Sequence, residues 1–193
     1  MLAQHPKKHM KQNELLKNNY PKRKLLRLKN YDYGSPGFYY VTVCTQNRNN
    51  LFSNIDNESV QLTKIGHMIE AFIQKLPVKF PYIQLNIYTI MPNHLHLIIE
   101  IVGTNLRVGP ISGQTHRSAP TLPSMIQWFK TMTTNAYINE VKKNSWPPFE
   151  ERLWQRNYYE RIIRSHEELQ KTREYIQSNH LKHIEEKRYP RTN

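Results

Sequence analysis

Residues 83–101 constrain the fold of this chain more than any other stretch. Ile83-Gln84-Leu85-Asn86-Ile87-Tyr88-Thr89-Ile90 is rich in β-branched and aromatic residues, and so is His94-Leu95-His96-Leu97-Ile98-Ile99-Glu100-Ile101. Both read as strands. Met91-Pro92-Asn93 leaves room only for a turn, so the two strands pair antiparallel. Side chains alternate faces along a strand. His94 and His96 therefore share one face, while Leu95, Leu97 and Ile99 enter an apolar layer on the other. Two imidazoles so placed either share a divalent metal or are simply hydrogen-bonded on a half-buried sheet; on a helix, sharing would need a spacing of three or four.

The other elements follow from the same patterning. A turn at Gly34-Ser35-Pro36-Gly37 precedes a strand over Phe38–Thr45. Residues 51–62 read as a loop, with room for a short strand at Ser59–Leu62. Ile65, Ile69, Phe72, Ile73 and Leu76 fall at helical spacing and predict a helix from Thr63 to Leu76, ending near Pro77. Residues 103–124, with three glycines and three prolines, read as a long loop. A helix over Leu122–Val141 presents Ile126, Phe129, Thr133 and Tyr137 along one side. A strand over Leu153–Arg161 and a helix over His166–Asn179 close the pattern. Strand, helix, strand pair, helix, strand, helix is an α+β order, suited to one antiparallel sheet flanked by helices.

Composition narrows the partner. The 193 residues carry 28 Lys and Arg against 15 acids, a formal charge of +13. Nucleic acid is the natural polyanion for such an excess. The density is highest over residues 1–30, where Lys7, Lys8, Lys11, Lys17, Lys22, Arg23, Lys24, Arg27 and Lys29 face only Glu14. Residues 1–22 read as a basic arm, either a solvated tail or a hold on DNA phosphates. Residues 23–185 read as one domain, and 186–193 as a C-terminal tail. No stretch of about 18 apolar residues occurs, and the N-terminus lacks the apolar run of a secretory signal. Cys44 is the only cysteine, which excludes an internal disulfide and a thiolate zinc cluster. A cytoplasmic protein is expected.

Four blocks, in order, resemble one family. They are Arg27-Leu28-Lys29-Asn30-Tyr31-Asp32-Tyr33; Tyr39-Tyr40-Val41-Thr42-Val43-Cys44-Thr45-Gln46-Asn47-Arg48; Met91 to His96; and Trp154 to Arg164, followed by Glu167-Glu168-Leu169 and Arg173-Glu174-Tyr175-Ile176-Gln177-Ser178-Asn179. From about Leu25 to about His183 the chain resembles the REP-associated tyrosine transposases. These are a branch of the single-tyrosine HUH endonucleases within the IS200-like transposase superfamily (HUH denotes His, hydrophobic, His; here His94-Leu95-His96). The resemblance implies a ferredoxin-like, palm-like sheet with the histidines on a central strand. It implies a metal-dependent endonuclease and strand transferase that nicks single-stranded, hairpin-bearing repeat DNA through a covalent 5′-phosphotyrosine, as in DNA transposition. Partners would be single-stranded DNA hairpins like repetitive extragenic palindromes, met on the nucleoid; a monomer is preferred, with a homodimer open. The alternatives are an inactive nucleic-acid-binding protein on this fold and a metal-dependent hydrolase with no covalent step.

The family's nucleophile matches Tyr175. At 100° per residue Tyr175 sits about 120° from Leu169 around the helix, off the stripe that Leu169 shares with Ile176. Asn179, four residues on, is either an oxygen ligand beside His94 and His96 or a helix C-terminal cap. Two imidazoles and an amide oxygen suit Mg²⁺ or Mn²⁺, the nitrogen donors favouring Mn²⁺. Many relatives have His where this chain has Arg161, and Asn-Pro where it has Asn179-His180, which makes His180 a further candidate ligand. Arg156, Arg161, Arg164, Arg173 and Lys130 are either phosphate contacts or solvated cations. Tyr158, Tyr159 and Trp154 either stack on bases or pack in the core.

Overall fold

The protein is described here by a computed structural model covering residues 28, 31–56, 59–102 and 121–188. The basic arm at 1–22 and most of the expected loop at 103–124 lie outside the described residues.

The sheet has four strands: β1 (Gly37–Cys44), β4 (Ile83–Met91), β5 (His94–Ile101) and β6 (Tyr159–Ile163). Their order is β4-β5-β1-β6 and every neighbouring pair is antiparallel. With helices α1 (Lys64–Lys79), α2 (Leu122–Asn144) and α3 (His166–Arg188), this is the expected α+β, ferredoxin-like arrangement, with the histidine strand β5 inside the sheet. None of the described helices is long and apolar enough to cross a membrane.

Strand alternation sorts the core into two layers. Tyr39, Val41 and Val43 of β1 and Leu95, Leu97 and Ile99 of β5 join α1 and α2 in the larger cluster. Tyr40 and Ile98 face the other way and meet Ile163, Leu169 and Ile176. That second face belongs to α3. A fully buried leucine or isoleucine contributes about 1.5–3 kcal/mol, so β5, with Leu95, Leu97, Ile98 and Ile99 all buried, is held from both sides. The histidine strand is thus among the most firmly placed parts of the chain.

Several boundaries differ from those expected. The short strand expected at Ser59–Leu62 is present as β3, and it pairs antiparallel with β2 (Ser53–Asp56), which read as loop. Helix α1 runs past Pro77 to Lys79. Proline here withholds one hydrogen bond within the last turn, and the amide of Phe80 still donates to the carbonyl of Leu76 at 2.8 Å. The helix start is tightly seated: Thr63 Oγ1 accepts from the Gly66 amide at 3.1 Å and donates to the Leu51 carbonyl at 2.7 Å. A Cβ on Gly66 would lie 2.0 Å from the Phe52 carbonyl oxygen, so the close approach excludes any larger residue. Helix α2 ends three residues beyond Val141, at Asn144, where Ser145 turns left-handed at φ 54°. Its expected stripe of Ile126, Phe129, Thr133 and Tyr137 is buried.

The last strand begins at Tyr159, not Leu153; before it only Trp154 bridges to Thr45. The reason lies on α2. Lys130 Nζ donates to the carbonyls of Gln155 at 2.9 Å, Asn157 at 3.1 Å and Arg156 at 3.4 Å, which draws this backbone toward the helix. Lys130→Met is expected to destabilise the protein by about 1 kcal/mol, water replacing part of what the ammonium supplied. A shift in urea midpoint would record it, and an unchanged midpoint would deny the clamp.

Helix α3 continues nine residues past the expected end at Asn179, so Asn179 is an interior helical residue and not a cap. It also absorbs residues 186–188 of the expected tail.

Candidate active site

The register places His96 opposite Thr42 and His94 opposite Cys44. Both histidines lie on the α3 face. Their rings stand 4.7 Å apart, centre to centre, and 75° from parallel.

His96 is held from behind. Its Nδ1 lies 2.8 Å from the Tyr40 hydroxyl and 2.8 Å from Thr42 Oγ1, and its ring stacks on Tyr40 at 5.4 Å. Its Nε2 is buried and has no hydrogen-bond partner among the described residues. An unpartnered buried donor or acceptor costs about 1–3 kcal/mol. Burial, then the neighbouring His94 and Arg48, push the imidazole pKa down to about 3, so it stays neutral, as a metal ligand must. With the proton on Nδ1, facing two hydroxyls, Nε2 offers a bare lone pair. A cation on that lone pair would remove the penalty.

His94 follows the same plan. Its Nδ1 donates to Asn93 Oδ1 at 2.7 Å, which fixes the tautomer that leaves Nε2 as the donor to a metal. Asn93 is itself anchored: its carbonyl accepts from the Thr45 amide at 2.9 Å and from Thr45 Oγ1 at 3.0 Å. The residues therefore fit a divalent ion. Among the described residues no three His, Cys, Asp or Glu side chains cluster around a metal position. A third protein donor of another kind would be an amide or hydroxyl oxygen. Asn179 has the right chemistry; it is buried, one turn beyond Tyr175.

Tyr175 reaches the pair from the facing helix. Its ring lies 5.6 Å from His96 and 6.4 Å from Tyr40, edge-on to both, and it is 38% exposed, so substrate can reach it. Leu169 and Ile176 are buried against the sheet, which turns Tyr175 toward the histidines.

The structure divides the basic and aromatic candidates. Arg161, which projects from β6 onto the α3 face, lines a cleft with Tyr175. Its Nη2 donates to Thr172 Oγ1 at 3.0 Å and its Nε pairs with Glu168 at 3.4 Å. Arg173 donates to Asn86 Oδ1 at 2.8 Å, at the irregularity where β4 carries one extra residue between Leu85 and Ile87. Arg164 lines an adjoining depression with Tyr33 and Glu160, which shares Arg161 and Glu168 with that cleft. Arg156 and Lys130 line a groove against α2, away from the histidines' face. Tyr158 packs against the larger core beneath the Lys130 ammonium, whereas Tyr159 lines the cleft beside Tyr175. Trp154 is buried, and its Nε1 donates to Thr133 Oγ1 at 2.9 Å. Tyr159 opens β6 and Tyr158 precedes it, so strand alternation read from Leu153 could not have assigned the two rings.

The buried imidazole has a consequence for stability. The unfolded chain binds a proton at His96 near 6.5, the folded protein only near 3. For the metal-free protein this contribution is intact above pH 6.5 and is lost as pH falls toward 3, by a few kcal/mol in all. His96→Gln should flatten that part of the stability–pH curve in denaturant titrations. Parallel curves for the two proteins would contradict it.

No protein-family model matches the chain. Among solved structures, that of a REP-associated tyrosine transposase bound to a REP hairpin superposes with a TM-score of 0.54 at 19% identity, covering 81% of this chain and 73% of the other. The fold is therefore that of a tyrosine transposase. In sequence, an uncharacterized protein of Haemophilus influenzae is 36% identical over 164 residues, or 81% of this chain and 87% of its own length. The chain belongs to the same family as that Haemophilus protein.

Proposed function

We infer that this chain is a REP-associated, single-tyrosine transposase, which nicks and rejoins single-stranded, hairpin-bearing DNA. One observation carries the reading: on the α3 face, the accessible Tyr175 ring abuts His96, whose buried Nε2 has no partner among the described residues. The shared fold with a transposase and the charge of +13 agree with it.

In this reading the Tyr175 phenol oxygen attacks the scissile phosphorus, a 5′-phosphotyrosine bond forms, and the 3′-oxygen leaves and takes up a proton. The ester keeps the energy of the broken bond, so a 3′-hydroxyl can later attack it and restore a phosphodiester without ATP. When bound by His94, His96 and Asn179, Mg²⁺ or Mn²⁺ supplies polarisation of the phosphate and stabilisation of the leaving oxygen. Tyr40, Thr42 and Asn93 hold the two rings in the ligating tautomer. Arg161 presents positive charge on the same side of the sheet.

The test is a labelled hairpin oligonucleotide with single-stranded flanks, incubated with protein and Mn²⁺ and run on a denaturing gel. A protein-linked strand is expected. Cleavage without linkage would mean a metal hydrolase, and binding without cleavage a recognition module. Hairpin affinity should also fall steeply with salt, by roughly a thousandfold between about 50 and 200 mM if some six phosphates are neutralised. A flat response would place the basic residues off the backbone.

A further inference from the structure

An open cleft of about 420 Å³ lies along α3 beside Tyr175. Tyr40, Tyr159, Arg161, Glu168, Lys171 and Thr172 line it. Tyr159 is 58% exposed, more than any other tyrosine among the described residues. The sheet register explains its position. Tyr159 pairs with Thr42, and Thr42 pairs with His96, so the three side chains form one row across β6, β1 and β5 on the α3 face. Two strand spacings put the backbone of Tyr159 about 10 Å from that of His96, within the reach of one nucleotide.

The cleft offers more than an aromatic plane. Arg161 is fixed by three contacts: Thr172, Glu168 and the Tyr40 ring, 5.6 Å from its guanidinium carbon. Glu168 is fixed in turn by accepting the Arg164 amide at 2.9 Å. A donor and an acceptor thus stand side by side in set orientations next to a flat ring. A phosphate would find both cations of the cleft already paired, Arg161 with Glu168 and Lys171 with Glu167. A duplex could not enter, because its bases are already stacked on one another. An unpaired base meets neither objection: its face stacks on an aromatic ring and its edge carries both donors and acceptors.

We propose that this cleft seats the unpaired base beside the scissile phosphate, stacked on Tyr159 with its edge toward Arg161 and Glu168, and that it sets which base is accepted at the cut. The inference rests on the single-stranded nuclease reading above. The histidines and Tyr175 handle the phosphate, which is the same for every sequence; the cleft supplies the discrimination that they lack.

The test uses the full chain carrying Tyr175→Phe, free of metal, so that cleavage plays no part. The probe is a hairpin oligonucleotide with a single-stranded flank and 2-aminopurine at each flank position in turn. One position should lose fluorescence on binding; the loss should vanish with Tyr159→Ala and persist with Tyr159→Phe. In the cleaving protein, Tyr159→Ala should raise KM about tenfold or more with a smaller change in kcat. Glu168→Gln should alter the preferred base at that one position. Equal fluorescence at all positions, or quenching indifferent to Tyr159→Ala, would overturn the proposal. Quenching as expected in a protein that never cleaves would leave the base site standing and remove the nuclease reading. Failure to bind any hairpin would remove both.

Discussion

Tyr175→Phe is expected to eliminate the protein–DNA adduct and to slow cleavage by at least about a thousandfold, while hairpin binding stays within a few-fold of wild type. The change removes one oxygen. The ring remains and keeps its edge contacts with His96 and Tyr40, so neither the helix nor the histidine pair should move. Two other tyrosines share the cleft and make a sharp control. Tyr40 is a poor nucleophile: burial pushes its pKa up to about 12, and its hydroxyl is occupied by His96. Tyr159 stands two strands from His96 in the sheet row and makes no ring contact with it. Tyr159→Phe should therefore still form the adduct. Denaturing gels for the adduct and mobility shifts for binding separate the two effects. An undiminished adduct in Tyr175→Phe would move the nucleophile elsewhere and end the assignment.

His96→Ala should likewise abolish cleavage with hairpin affinity nearly intact, because an ion at this site serves bond-breaking more than attachment. It should cost stability too. The substitution leaves the Tyr40 hydroxyl and Thr42 Oγ1 beside a void in a buried layer, a loss of about 1–3 kcal/mol. His94→Ala provides the comparison. His94 is only half-buried and its Nδ1 bonds to Asn93, so its removal should abolish cleavage at a smaller structural cost. Mn²⁺ binding, followed by electron paramagnetic resonance, should weaken in both variants, while urea unfolding should single out His96→Ala. If hairpin binding disappeared together with cleavage in His94→Ala, the division between chemistry and affinity would be wrong.

Expectation and structure part company at identifiable residues. Alternation alone put His94 and His96 on one face and Leu95 and Leu97 on the other, and the register agrees. Helical spacing marked the buried sides of α1 and α2 before any contact was known. Ends were harder to read. Pro77 stops a helix only if the remaining turn cannot close its own hydrogen bonds, and here it does. The stretch from Leu153 to Tyr158 has strand-like composition, yet Lys130, 25 or more residues earlier, takes its carbonyls. A non-local donor leaves no trace in local propensity.

The sequence by itself determined the parity of each strand, the apolar stripe of each helix, the excess of positive charge and the tyrosine–histidine set that a family resemblance could mark. The tertiary structure alone decided that α3 covers the histidine face, that Arg161 is braced by Glu168 and Thr172, and that Tyr159 rather than Tyr158 opens onto the cleft. The reason is physical. Side-chain direction along one element follows from backbone geometry over a few residues, whereas the choice of which face meets which element is made by contacts between residues far apart in the chain.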